Sequence, residues 1–255
     1  MIVCKSPSEI ERMRAANALV ADVLAELGAM VAPGVTTKDL DAAAERRVRE
    51  RGAEPAFKGY RGYPATLCAS VNEEVVHGIP SARRLVEGDI VSLDMGVKLN
   101  GFFGDSAITV AVGDVSDDVR RLLRVTEEAL ERGIGQAQAG GRISDIGHAI
   151  QQHVEGQGFS VVREFVGHGI GASLHEEPQI ANYGEPGRGP RLAEGMVLAI
   201  EPMVNMGRPA VKVLADGWTA VTRDGSLSAH FEHTVAVTKD GPLVLSTRTS
   251  PAAVR

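Results

Sequence analysis

Two aspartates lie eleven residues apart in LDMGVKLNGFFGDSA, residues 93–107, on either side of an Asn-Gly pair. Asn100-Gly101 is a strong signal for a two-residue type I′ hairpin, because both central positions need positive φ. If Leu99 pairs with Phe102, then Asp94 faces Ala107, and Asp105 falls two residues away on the same face. Two carboxylates that close repel, and one is driven toward protonation unless something positive stands between them. A shared proton, an Arg or Lys, or metal ions would serve; a solvated strand face carrying two unrelated acids would show the same spacing.

Two further acids sit in text that otherwise reads as strand interior. They are Glu201 in VLAIEPMV and Glu232 in AHFEHTVAV, where an unpaired carboxylate is costly. The segment VGHGIGASLHEEP offers two imidazoles, His168 and His175. Four carboxylates and a neutral imidazole would make an oxygen-rich site for two divalent cations, whose chemistry is to acidify a water and polarise a carbonyl. Hydrolysis is the reaction that such a set points to.

These residues need a scaffold that converges them. Ser6-Pro7-Ser8-Glu9 is a capping box with Pro at the first helical position, and apolar residues at Ile10, Met13, Leu19, Val20, Val23, Leu24 and Leu27 follow at helical spacing. Further helices are expected from Thr37 to Arg51, Ser116 to Gln138 and Ser144 to Gln157. Strands are expected at Ala65–Val71, Asp89–Leu99, Phe102–Val112, Ser160–Val166, Met196–Val204, Val211–Leu214, Thr219–Thr222 and His230–Thr238. Gly167-His168-Gly169-Ile170-Gly171 spaces its glycines too closely for a dinucleotide-binding loop and, like GIGQAQAGG, reads as a turn.

The element order repeats, and so does the text. PGVTTKDLDAAAERRVRERG aligns with AGGRISDIGHAIQQHVEGQG, and EGDIVSLD with EGMVLAIE, so that Asp94 falls on Glu201. DSAITVAVGD resembles EHTVAVTKDG after an insertion of about 20 residues that contains Trp218. The expectation is one catalytic domain over residues 1–255, an α/β fold of two halves, about 8–113 and 114–240. Each half would have two helices and antiparallel strands and bring two acids to a shared pseudo-twofold axis.

Composition sets the outer bounds. The chain has 255 residues, 44% of them hydrophobic, and a net charge of −6, as expected for one medium globular unit without a basic footprint for nucleic acid. No apolar run reaches the roughly 18–20 residues of a membrane span, and no secretory signal is read at the N-terminus. Two cysteines, Cys4 and Cys68, make no disulfide framework, so reduced thiols in the cytoplasm are expected.

The segments GYRGYPATLCASVNEEVVHGIP, LDMG…GFFGDSA, VGHGIGASLHEEP, IEPM and HFEHT resemble, in order and over nearly the whole chain, the signature blocks of the type I methionine aminopeptidases. The resemblance implies the pita-bread fold and two divalent ions, Co²⁺, Mn²⁺, Fe²⁺ or Zn²⁺. Asp94, Asp105, His168, Glu201 and Glu232 would hold them, with Glu201 also accepting a proton from the attacking water. By the same resemblance His175 would bind the scissile carbonyl and His77 the region of the scissile amide. Tyr60, Tyr63, Cys68, Leu174 and Trp218 would line the methionine pocket, position 174 being Phe in some members.

A crowded neighbouring subsite would restrict the second residue to small side chains. The substrates implied are the N-termini of nascent polypeptides, met by a cytoplasmic monomer in transient contact with the ribosome. A monovalent cation near Val71 and Asn72 is a further expectation. The chain begins almost at the first family helix, without the N-terminal adaptor of some relatives, and lacks the helical insertion of type II enzymes. The rival readings are an Xaa-Pro aminopeptidase or prolidase, which usually carries a separate N-terminal domain, and a metal-free binding paralogue.

Overall fold

The computed structural model describes residues 1–247. Its four helices are α1 (Pro7–Met30), α2 (Thr37–Glu50), α3 (Asp117–Gly135) and α4 (Ile143–Gly156), the last three each within three residues of their expected bounds. The strands are β1 (Glu54–Pro55), β2 (Cys68–Val71), β3 (Glu74–Val76), β4 (Ile90–Leu99), β5 (Phe102–Ala111), β6 (Ser160–Val161), β7 (Gly167–Gly169) and β8 (Glu176–Ile180). They continue as β9 (Val197–Ile200), β10 (Met203–Asn205), β11 (Val211–Val213), β12 (Ala220–Thr222), β13 (Ser228–His230), β14 (Glu232–Thr238) and β15 (Gly241–Val244).

Helix α1 starts where its sequence says. Ser6 accepts from the Glu9 amide, and the Glu9 carboxylate accepts from the Ser6 amide at 2.8 Å, a reciprocal cap that stabilises the first turn by about 1 kcal/mol. The hairpin is also as expected: Asn100 and Gly101 both have positive φ, 52° and 83°, and Leu99 pairs with Phe102 and Asp94 with Ala107.

The main sheet runs β1-β4-β5-β14-β9-β7-β8, with β2 also on β4 and β15 also on β14. Strands β4 and β5 from the first part of the chain meet β14 and β9 from the second at the β5–β14 pair, which is the arrangement a duplicated unit would produce. One face of β4 and β5 is hydrocarbon. Val91, Leu93, Met95, Val97 and Ile108 pack with Ala16, Leu19, Val20 and Val23 of α1 in the principal core. The close approach depends on Gly104, where a Cβ would lie 2.8 Å from the α1 backbone at Ala16 and Asn17. Asn17, buried in mid-helix, uses its Oδ1 to accept from the Asp105 amide at 3.2 Å, so α1 holds the backbone of one candidate ligand.

Three expectations change. The strands expected over Met196–Val204 and His230–Thr238 each divide in two, at Glu201-Pro202 and at Phe231. Proline has no amide to continue the ladder, and the chain passes there from the main sheet into a small sheet of β13-β10-β6. Glu201 and Glu232 therefore sit at a fork between two sheets. The strand expected over Ser160–Val166 is only two residues long. Finally, the glycine cluster at 167–169 is a strand, not a turn: a Cβ on Gly167 would meet the Ala199 carbonyl oxygen and one on Gly169 the Glu177 carbonyl oxygen, so these glycines permit close strand approach.

Candidate active site

Cross-strand register aligns the candidate ligands in two adjacent rows on the face opposite the helices. The first row runs Cys68, Asp94, Ala107, Glu232 across β2, β4, β5 and β14. The second contains Gly96 opposite Asp105, and Thr234 opposite Ala199 opposite His168. The Thr234 hydroxyl donates to the Asp105 carbonyl at 2.8 Å and joins its two parts. Ala107 and Ala199 alternate with the acids and the imidazole, and such small side chains leave a hollow. Glu201 follows β9 two residues beyond Ala199, its carbonyl accepting from the Asn182 side chain at 3.1 Å.

All twelve residues expected at the site line one cleft that opens to solvent. Two lining residues were not anticipated, Phe57 and Arg61. Arg61 lies in the quoted GYRGYP block, with its guanidinium 5.3 Å from the Tyr60 ring centre; Phe57 had no motif to mark it.

Burial sets the electrostatics. It pushes the Asp94 carboxyl up to about 7. Asp105 is held well above the ordinary carboxylate range by burial and then by Asp94, and Glu201 by burial and then by both aspartates. The same burial, reinforced by His175, lowers both His77 and His168 to about 4, which keeps the imidazoles neutral. His168 Nδ1 lies 2.9 Å from the Gly169 carbonyl, which can only accept, so the proton is on Nδ1 and Nε2 offers its lone pair to the cleft.

The donor set fits a divalent metal. Donor atoms of Asp105, His168 and Glu232 lie within 4.8 Å of one another. His168 Nε2 is 3.6 Å from Glu201 Oε1, too far for a hydrogen bond and close enough to share a small cation. Among the described residues Asp94 Oδ1 and Asp105 Oδ1 are buried without a hydrogen-bond partner, an expensive condition that a cation would relieve. His230 joins them: its Nε2 is buried, has no hydrogen-bond partner among the described residues and lies 3.7 Å from Glu201 Oε2. The two-residue spacing from Glu232 was a signal available for it in the sequence.

Beside these groups stands a largely aromatic wall. The Tyr63 hydroxyl donates to the carbonyls of Leu67 and Gly78, both at 3.0 Å, and the Trp218 ring meets Tyr63 edge-on at 5.1 Å. Trp218 is carried on the turn between β11 and β12, fixed by Asp216 Oδ1 accepting from the amides of Trp218 and Thr219. Because β12 pairs with β3, this turn lies over His77, whose ring is 6.2 Å from that of Trp218. His77 has a φ of 60°, a strained backbone for a branched-ring side chain and the kind of cost that functional sites retain. The Tyr60 hydroxyl is 2.9 Å from His175 Nδ1, and the two rings stack at 5.2 Å. Leu174 is buried in the same wall, and the buried Cys68 thiol is held far toward its protonated form by burial and by Asp94.

Comparison with known proteins gives one consistent result. Residues 11–239 match the model of metallopeptidase family M24. A curated relative, methionine aminopeptidase 1 of Bacillus subtilis, is 57% identical over 94% of this chain and 97% of its own length. The crystal structure of methionine aminopeptidase from Rickettsia prowazekii superposes with a TM-score of 0.96 at 42% identity, covering 97% of this chain and all of that one (100%). The prolidase of Pyrococcus furiosus shares the fold at 24% identity and a TM-score of 0.79, with only 65% of its chain covered. With the buried Asp, His and Glu donors already in place for a divalent metal, this chain belongs to the metallopeptidase family M24, in its methionine aminopeptidase branch.

Proposed function

We propose that this protein removes the N-terminal methionine from nascent polypeptides whose second residue is small, by hydrolysis at a centre of two divalent metal ions. The observation that supports the reading is that the five expected metal ligands and the aromatic residues Tyr60, Tyr63 and Trp218 line the same cleft. Asp94, Asp105, His168, Glu201 and Glu232 would hold the ions. When bound, the metal supplies an acidified water and a polarised carbonyl. Oxygen donors with one imidazole suit Mn²⁺, Fe²⁺, Co²⁺ or Zn²⁺.

The remaining steps belong to the protein's own groups. Glu201, whose buried setting raises its affinity for a proton, accepts as a carboxylate the proton of the attacking water and passes it toward the leaving amine. With its Nδ1 accepting from the Tyr60 hydroxyl, His175 presents an Nε2 proton to the scissile oxygen as negative charge develops there. His77 contacts the peptide on the leaving side of that bond. Tyr63, Cys68, Leu174 and Trp218 read a thioether by shape and polarizability, while crowding beyond the bond excludes bulky second residues.

The same reading puts the work in the cytoplasm, at nascent chains near the ribosome. The free thiols of Cys4 and Cys68 are consistent with a reducing compartment. Among the described residues no helix is long and apolar enough to cross a membrane. A single catalytic domain of two halves and a monovalent cation near Val71 and Asn72 complete the proposal.

The test is mass spectrometry of Met-Ala-Ser, Met-Leu-Ser and Ala-Pro-Ser incubated with chelated protein, then with Mn²⁺, Fe²⁺, Co²⁺ or Zn²⁺ restored. Metal-dependent loss of Met from the first peptide alone is expected. Cleavage of Ala-Pro-Ser alone would transfer the activity to the Xaa-Pro branch, and no cleavage with any metal would leave a binding protein.

A further inference from the structure

We propose that Lys5 is a positioning residue for the reaction: through an ion pair with Glu176, at the start of β8, it fixes the 170–175 loop that presents Leu174 and His175 to the cleft. This rests on the reading of His175 as the group that meets the scissile oxygen.

The loop joins β7 to β8, and the ladder between those strands slips its register between His168 and Gly169, so regular pairing alone does not fix the loop. His175 itself is exposed, and among the described residues its imidazole has one hydrogen-bond partner, the Tyr60 hydroxyl. The aim of the ring therefore depends on what holds the backbone on either side of it.

Lys5 supplies that hold from 171 residues away. Its Nζ lies 2.5 Å from Glu176 Oε2, and the two side chains are only 4% and 15% exposed. The other carboxylate oxygen, Oε1, accepts from the Ser173 amide at 3.1 Å. One carboxylate thus connects both the N-terminal segment and the loop to the start of β8. The lysine stem crosses Gly171 so closely that a Cβ there would collide with Lys5 Cε and come within 2.9 Å of Nζ and 2.7 Å of Glu176 Oε1. On its other side Gly171 accepts from the Phe103 amide at 2.8 Å, which ties the loop to β5, the strand of Asp105.

The lysine is itself firmly placed. Its amide donates to the Gly195 carbonyl at 2.7 Å, its Nζ donates to the Val3 carbonyl at 3.0 Å, and the next residue, Ser6, caps α1. A buried ammonium with one carboxylate partner is stable only while that geometry is kept, since loss of either member leaves a charge without compensation. The pair adjoins His175 in the chain, so a shift of the Glu176 backbone is a shift of His175.

The experiment compares the full-length Lys5→Met and Lys5→Arg variants with the native protein, each loaded with Mn²⁺, in steady-state hydrolysis of Met-Ala-Ser and in amide hydrogen exchange. For Lys5→Met, kcat should fall roughly 10- to 100-fold, the scale of a small misplacement of a group acting on the transition state, with KM within about twofold. The Ser173 amide should exchange faster while amides of α3 and α4 do not change, and Lys5→Arg should restore most of kcat. A lower melting temperature with native kcat and native Ser173 exchange would mean that the pair only stabilises the fold, and would overturn the proposal.

If Lys5→Met does not fold, Glu176→Gln removes the charge and keeps an acceptor for the Ser173 amide; native kcat in that variant would also overturn the proposal. Failure of the native protein to release Met would count against the functional reading instead. The Ser173 exchange would then still decide whether Lys5 holds the loop.

Discussion

Asp94→Asn should have opposite effects on the metal-free and metal-loaded protein. Without metal, burial raises the Asp94 carboxyl from 3.8 to about 7. A carboxyl raised on folding binds more protons in the native than in the unfolded state over that interval, so its ionisation makes stability fall as pH rises from about 4 to about 7 and levels off above. At about 1.4 kcal/mol per tenfold, the full cost is ~4 kcal/mol. Sharing of protons with Asp105 and Glu201 leaves only part of that cost to be recovered by one substitution.

The amide cannot ionise, so the chelated variant should be more stable than native at pH 8 by that recovered part, with no gain below about pH 4. With Mn²⁺ at saturation the sign reverses, because a ligand has been lost and binding to the native state contributes stability by mass action. Urea denaturation at pH 4, 6 and 8, with chelator and with Mn²⁺, reads both effects. Lower stability of the chelated variant at pH 8 would refute the reasoning, since it would mean that the carboxylate makes favourable contacts of its own.

Three further outcomes are expected. Asp105→Asn should reduce turnover of Met-Ala-Ser to background while leaving circular dichroism near native, and retained turnover would remove Asp105 from the metal centre. Trp218→Ala should raise KM for Met-Ala-Ser and narrow the preference for Met over Leu at the first position, read from a panel of first-residue analogues. Gly104→Ala should destabilise the fold by about 1–3 kcal/mol in urea titration, because the added Cβ meets the α1 backbone rather than a flexible side chain.

The part of the site that follows a period of two was open to reading. Asn100-Gly101 sets the hairpin register, register sets parity, and parity puts Asp94 and Asp105 on one face. The glutamates were legible as acids in apolar text, but not the fork at which they sit, because two successive strands in different sheets look like one longer strand until the break at Pro202 is given weight. Glycine was ambiguous for a physical reason: Gly167 and Gly169 omit a side chain for a neighbouring strand, and the letters are the same as those of a turn. The Lys5–Glu176 pair had no signature, since an ion pair spanning 171 residues is created by tertiary structure alone. Family resemblance supplied the roles of His77, His175 and Trp218, which spacing could not.

The row joining Asp94 to Glu232 passes through the Ala107–Glu232 pairing, whose partners are 125 residues apart in the chain (232 − 107). Pairings this remote form late, because the loop they close is long. During synthesis Asp94 and Asp105 emerge well before His168, Glu201 and Glu232, with nothing to complete their half of the row. On the proposed reading the centre inspects its own assembly, because its acids would come together only when these distant strands have docked in register.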